Sequence, residues 1–186
     1  MSEASFSLQD HDMITELYPY PKGNSNYDGK GYYHHLSNEQ SAALTYLQRY
    51  AIDNRIDMSL LSSYALHPSL ILLRYLRANN FDVDKSITII QNNIEWRIKM
   101  NVPKILQLNP DQILGCSLNK LTQMYPHWHC GYDRIGRPVL YKQYGKFDAT
   151  TLKSFTSLDS LRKYHIWEQV IFCIVIISLS YHYYYT

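Results

Sequence analysis

The stretch most suggestive of chemistry is His127-Trp128-His129-Cys130, because histidine and cysteine are common zinc ligands. Residues two apart on a strand point to the same side, so His127 and His129 would present their imidazoles together. A structural zinc site needs four ligands, and no CxxC pair is available to complete this one. We therefore expect histidines that lie at the surface or pack within a hairpin, and we predict no metal and no cofactor.

Enzymatic chemistry has little support in the sequence. It contains neither a GxxxxGK[ST] phosphate loop nor a GxSxG nucleophile elbow, and its acidic residues occupy positions typical of helix caps and turns. Arg137, within Gly136-Arg137-Pro138, is suited either to stabilising the surrounding turn or to binding a phosphate. We expect no enzymatic activity and no catalytic residues.

The elements that would position a site begin with a helical hairpin, "LLRYLRANNFDV", at residues 72–83. Its leucines share one face, which predicts a packed helix. Asn79-Asn80 suits the end of that helix, because asparagine tolerates the left-handed conformation found there. Asp82 or Asp84 can then cap the next helix. We expect the facing side chains of this hairpin to be buried: Leu72, Leu76, Ile87, Ile90, Ile94 and Trp96.

Other local signals extend the helical region in both directions. Residues 1–36 have no apolar period and predict a flexible arm. Ser37 and Gln40 have the spacing of a capping box, and Pro68 suits the first turn of a further helix. The chain therefore predicts at least three helices before residue 112.

Residues after Leu121 change in character and favour strands. The runs 127–132 and 139–144 flank a turn-forming segment, which predicts a β-hairpin whose return strand opens at Pro138. Ser157 can cap a helix that follows. The expected fold class is α/β and rich in helix.

Composition restricts the class of protein. With 46% apolar and 18% charged residues, the chain of 186 residues is long enough to bury a core. The three cysteines, Cys116, Cys130 and Cys173, form no pattern, which favours a reducing compartment. The start lacks a basic and apolar signal segment. We expect a cytoplasmic monomer, peripheral to membranes, with no nucleic-acid partner.

Three segments resemble the CRAL-TRIO family of phosphatidylinositol- and phosphatidylcholine-transfer proteins. They are "LLRYLRANNFDVDKS…IEWR", "YP…DRIGRPVLYKQYGKFD" and "TSLDSLRKYHIWEQ", in the family's order over roughly residues 37–169. The resemblance implies a helical N-terminal domain at 37–112 and the start of an α/β lipid-binding domain at 113–169. It also implies binding and intermembrane transfer of a phospholipid or similar hydrophobic ligand, with transient contact to an anionic membrane surface.

The resemblance also suggests where a lipid would bind. Family members that hold phosphatidylinositol often have a basic pair where this sequence has Asn79-Asn80, and neutral amides bring no charge to a phosphate. Tyrosines that contact phosphatidylcholine in such proteins align with His129, Leu140 and Gln169, so no head-group specificity is implied. The lipid-binding residues we predict are Asn79, Asn80, His129, Arg137 and Tyr141.

The tail at 170–186, "VIFCIVIISLSYHYYYT", departs from the family, so we expect an incomplete lipid-binding domain with impaired transfer. A membrane anchor is an alternative for this tail, although the apolar run Val170–Leu179 would extend only about 15 Å as a helix, half a hydrocarbon core. A second hypothesis for the whole chain is a protein-interaction or regulatory fragment that uses the helical domain alone.

Overall fold

The computed structural model describes residues 31–62, 67–133 and 138–185, with the backbone alone for residues 129, 132, 138 and 173–185. The chain divides into two compact units between Met100 and Asn101. The boundary suggested by the family resemblance, at residue 112, stays a prediction. Most of the N-terminal arm expected at 1–36 lies outside the described residues.

Within its described residues, the first unit has three α-helices: α1 (Asn38–Asp53), α2 (Pro68–Ala78) and α3 (Val83–Lys99). Short 3₁₀ turns at Tyr33–His35 and Met58–Leu60 accompany them. Their apolar faces meet in one core of buried side chains: Leu44, Leu47, Ala51, Leu61, Ile71, Leu72, Leu73, Leu76 and Ile90.

The beginnings of these helices agree with the sequence signals. The Gln40 amide donates to Ser37 Oγ at 3.2 Å, and the Ser37 amide donates to Gln40 Oε1 at 3.0 Å, which completes the predicted capping box. Pro68 opens α2. Asp82, and not Asp84, caps α3 by accepting from the Lys85 amide at 3.0 Å.

The α2–α3 turn ends in a Schellman motif. The Phe81 amide donates to the Leu76 carbonyl at 2.7 Å, and the Asn80 amide donates to the Arg77 carbonyl at 3.4 Å. Asn80 and Phe81 both adopt positive φ angles, 52° and 62°. Asn79 Nδ2 donates to the Tyr75 carbonyl at 2.8 Å. The asparagines therefore end α2 as predicted, and Phe81 packs onto the core of the first unit.

Burial in this hairpin matches the prediction except at one position. Leu72, Leu76 and Ile90 are fully buried, and two further isoleucines of α3 are partly buried. The prediction for Trp96 is wrong, because its side chain is 42% exposed. Each residue turns a helix by about 100°, so Trp96 lies about 120° around α3 from Ile90 and outside the apolar stripe.

The second unit contains five helices and a two-stranded sheet within its described residues: α4 (Val102–Leu106), α5 (Pro110–Leu114), α6 (Leu118–Met124), β1 (His127–Tyr132), β2 (Pro138–Lys142), α7 (Ala149–Lys153) and α8 (Leu158–Tyr185). Its buried apolar side chains come from every helix. Thr156 also contributes, since its hydroxyl donates to the Leu114 carbonyl at 2.8 Å inside the unit. The helix-rich α/β class is thereby confirmed.

The β-hairpin forms where the sequence predicted it. The strands are antiparallel, with His127 opposite Lys142 and Trp128 opposite Tyr141. The register shifts between His129 and Tyr132, where Gly131 has a φ of 81° that a side chain would disfavour. The second strand begins at Pro138 as predicted but ends at Lys142, because Tyr144–Lys146 forms a 3₁₀ turn. The loop 134–137 lies outside the described residues.

Helix α8 begins after Ser157, whose hydroxyl accepts from the Ser160 amide at 3.0 Å, and its backbone continues to Tyr185. Residue 170, where the sequence predicted a departure from the family, lies within this continuous helix. Among the helices of the described residues, none has both the length and the apolar character that crossing a membrane requires.

Candidate functional site: an apolar cleft beside a buried ion pair

The two faces of the hairpin differ in their surroundings. His127 and Lys142 lie opposite each other, and their side chains are buried against α8, where both contact Glu168. Trp128 and Tyr141 project from the other face, with ring centroids 4.8 Å apart, and each is about half exposed. Because side chains alternate along a strand, the pairing register determines this division.

Glu168 is the centre of a buried polar cluster. Lys142 Nζ donates to Glu168 Oε2 at 2.6 Å, and His127 Nε2 lies 3.3 Å from Oε1. His165 Nδ1, on a mainly exposed side chain, lies 3.7 Å from Oε2. A buried carboxylate is tolerated only when cations or hydrogen-bond donors compensate for its lost hydration, and Lys142 provides that compensation here.

His127 is held by contacts at both ring nitrogens. Nδ1 lies 2.7 Å from the Tyr125 carbonyl oxygen, so we assign the hydrogen to Nδ1, because a carbonyl oxygen can only accept. Nε2 lies 2.8 Å from the Tyr164 hydroxyl oxygen. A neutral His127 accepts the Tyr164 hydroxyl hydrogen, whereas a protonated one donates from Nε2. Both states keep the strand fixed to α8.

Two tyrosines of the cluster remain neutral over a wide range of pH. Burial raises the pKa of Tyr164, and the negative charge of Glu168 acts in the same direction. Burial also raises the pKa of Tyr125, with a further contribution from its hydrogen bond to Tyr144. Their hydroxyl groups are therefore hydrogen-bonding groups of the site and carry no charge near neutral pH.

A cleft of about 350 Å³ opens beside this cluster. Its walls are almost wholly apolar or aromatic: Leu121, Tyr125, Tyr144, Phe147, Leu158 and Leu161. Arg162, Tyr164, His165 and Glu168 complete the lining. Such a volume lies within the range of about 300–1,000 Å³ that small-molecule sites occupy. The described residues bring no three His, Cys, Asp or Glu side chains together in a group able to hold a metal ion.

Residues 33–92, from the first 3₁₀ turn into α3, match the family model of the CRAL/TRIO N-terminal domain. The first unit contains a CRAL/TRIO N-terminal domain. This match covers residues 33–92 of the 186-residue chain and supports, for that segment, the resemblance to the CRAL-TRIO family that the sequence motifs predicted.

Its curated relatives from Arabidopsis thaliana include lipid-transfer proteins. The chain is 34% identical over 114 residues to phosphatidylinositol/phosphatidylcholine transfer protein SFH4, and 33% identical over 95 residues to SFH9. It is 32% identical over 95 residues to Patellin-3. These matches cover 51–59% of this chain but only 16–18% of the relatives' own length.

The lipid-binding residues predicted from the sequence fall in both units. Asn79 and Asn80 belong to the first unit, where the helix end accounts for both. Tyr141 lies on the hairpin face that carries Trp128, and the backbone of His129 pairs with Leu140 on the same hairpin. The side chains of His129 and Arg137 lie outside the described residues, so these assignments stay predictions.

Sequence reasoning missed Glu168, which contacts the hairpin and lines the cleft. One signal was present, since Glu168 interrupts an apolar run between Ile166 and Val170. A charged residue in that position must be paired if the helix face is buried. Its partner, Lys142, is 26 residues away on another element, and local periodicity gives no indication of that distant pairing.

Proposed function

We propose that this protein binds a phospholipid or a similar hydrophobic ligand and takes part in its transfer between membranes, without making or breaking a bond. The observation that carries the proposal is the 34% identity, over 114 residues, to a phosphatidylinositol/phosphatidylcholine transfer protein. Lipid transfer needs a protein surface that shields acyl chains from water, since each buried CH₂ contributes about 0.8 kcal/mol.

The apolar cleft of the second unit supports the proposal. It offers leucine and aromatic walls to an acyl chain, and its accessible lining is almost entirely apolar. The cleft is near the lower end of the size range of ligand sites, so we expect the 186-residue chain to transfer a whole phospholipid slowly. Transient contact of a monomer with an anionic membrane, through its basic residues, would deliver the lipid.

The head group would then be held weakly. Asn79, Asn80, His129, Arg137 and Tyr141 remain the predicted lipid-contacting residues, and only Arg137 among them carries a permanent positive charge. We therefore expect weak discrimination between phosphatidylinositol and phosphatidylcholine, because charge-assisted hydrogen bonds are the strong ones.

The test is transfer of fluorescent phosphatidylcholine and phosphatidylinositol between vesicles by the 186-residue chain. Leu161→Trp fills the cleft and should reduce protein-dependent transfer at least about tenfold, equivalent to ~1.4 kcal/mol of binding. Tyr46→Trp, at an exposed position of the first unit, is the matched control and should transfer normally. Equal transfer by both variants would contradict a role for the cleft, and absence of transfer by the unaltered chain would contradict the proposed function.

A further inference from the structure

We propose that the cleft is built for a single-chain amphiphile with an anionic head group, whose acyl chain fills the cleft and whose head group pairs with Arg162. The inference rests on the proposed function and narrows its ligand class. A fatty acid and a lysophospholipid with a phosphate head share this chemistry.

The volume of the cleft carries the first part of the inference. An enclosed cavity of about 150 Å³ holds benzene, with six carbon atoms, so this cleft of about 350 Å³, which is partly open to solvent, accommodates at most roughly 14 carbon atoms. That number corresponds to one acyl chain. A diacyl phospholipid brings two such chains and a glycerol backbone, and more than half of its apolar surface would stay outside.

The charges around the cleft carry the second part. Glu168 lines the cleft, but its charge is compensated by Lys142 Nζ at 2.6 Å. Arg162 also lines the cleft, and because the accessible lining is almost wholly apolar, the aliphatic part of its side chain faces the cleft while the residue is exposed to solvent. Asp159, on the preceding turn of α8, forms its ion pair with Lys163 at 2.7 Å, and the charge of Arg162 is a weaker influence that also lowers the pKa of Asp159. An arginine at the rim of an apolar cleft can bind a carboxylate or a phosphate through two parallel hydrogen bonds.

A chain-length series tests the volume argument. Saturated fatty acids of increasing length should bind the 186-residue chain at one site, with affinity rising about fourfold per added methylene. The rise should stop near 14 carbons, when the cleft is full. Isothermal titration below the critical micelle concentration gives the affinities, and native mass spectrometry gives the number of bound ligands. An affinity that continues to rise well beyond 14 carbons would overturn the size argument.

Substitution of Arg162 tests the charge argument. Arg162→Gln should weaken myristate and myristoyl-lysophosphatidic acid about tenfold, and should leave the zwitterionic myristoyl-lysophosphatidylcholine nearly unchanged. Arg49→Gln, at an exposed position of α1, is the control and should bind all three normally. Comparison of myristate with lysophosphatidic acid identifies which source of negative charge is preferred, and preference for either supports the inference. An unchanged affinity of Arg162→Gln for both anions would overturn it.

Titration with diacyl phosphatidylcholine and phosphatidylinositol separates this inference from the proposed function. If a diacyl lipid binds one to one and displaces myristate completely, the single-chain inference fails and phospholipid binding stands. If single-chain anions bind at the cleft while vesicle transfer is absent, the inference stands and the transfer function fails. If no lipid of either class binds saturably, both fail.

Discussion

Lys142 Nζ and Glu168 Oε2 lie 2.6 Å apart, and their side chains are only 10% and 7% exposed. This ion pair joins the second strand of the hairpin to α8, at a point where Glu168 also lines the cleft. The ion pair therefore joins the hairpin to the helix beside the cleft, together with the contacts of His127 to Glu168 and Tyr164.

Breaking this contact from one side should destabilise the second unit strongly. Glu168→Leu leaves the Lys142 ammonium buried without its carboxylate, and we expect a loss of about 3–5 kcal/mol in the free energy of unfolding. The double variant Lys142→Met/Glu168→Leu should recover most of that loss, because no buried charge remains. Urea unfolding measures both. Lys163→Met removes an exposed ion pair and should change stability far less. If the loss of stability in the double variant equalled the sum of the losses from Lys142→Met and Glu168→Leu measured singly, that result would contradict the contact.

The left-handed conformation of Asn80 makes a prediction about the α2–α3 turn. Asn80→Val should lower the free energy of unfolding by about 1–2 kcal/mol, because a β-branched residue is strained at positive φ. Asn80→Gly should be neutral or stabilising. Asn92→Val, at an exposed helical position in α3, controls for helix propensity and should cost less. Equal losses at positions 80 and 92 would argue against the Schellman motif.

Leu76 and Trp96 are both apolar, but Leu76 is buried and Trp96 is partly exposed, so we expect their substitutions to differ in effect. Leu76→Ala should cost about 2–5 kcal/mol by leaving a cavity in the core of the first unit. Trp96→Ala should cost clearly less than Leu76→Ala, because 42% of the Trp96 surface is already in solvent and Leu76 is fully buried. Thermal or urea unfolding gives both values. A larger loss at Trp96 than at Leu76 would place Trp96 back in a core.

Because Tyr164 is buried, we expect the protein to lose stability at alkaline pH. Its pKa is raised by burial above the ordinary value of 10.0, so the folded protein keeps this proton after the unfolded chain has lost it. Its contribution is complete below about pH 10 and is lost progressively as the pH rises further. Tyr164→Phe should flatten the decline of the unfolding midpoint between about pH 9 and pH 11, whereas Tyr46→Phe, at an exposed position, should not. The same decline in both variants would rule out this contribution.

Local interactions made much of the first unit predictable. The capping of α1 by Ser37 and of α3 by Asp82 depends on hydrogen bonds to amides three residues away, so the spacing of residue types was sufficient. The first of the three family-like segments lies on α2 and α3 of this unit. The prediction that Trp96 is buried was wrong, because an apolar side chain lies in the core only if its angular position around α3 falls on the buried stripe.

The candidate site was less predictable for a physical reason. Its cleft is formed by residues from Leu121 to Glu168, and its polar cluster joins side chains 26 and 37 residues apart in the chain. Such contacts depend on how the hairpin packs on α8, which no local pattern specifies. Sequence reasoning reached the hairpin but expected its histidines at the surface or packed within it, and did not foresee the contact of His127 with Glu168.

Photo-crosslinking most directly tests whether lipid binds in the cleft of the second unit. The 186-residue chain would be irradiated with a phospholipid and with a lysophospholipid that each carry a diazirine in the acyl chain, and labelled peptides would be identified by mass spectrometry. The account predicts labelling of peptides that contain Leu121, Phe147 or Leu161, suppressed by excess unlabelled lipid and by Leu161→Trp. Labelling confined to first-unit peptides around Asn79-Asn80, or labelling that excess lipid does not suppress, would contradict it.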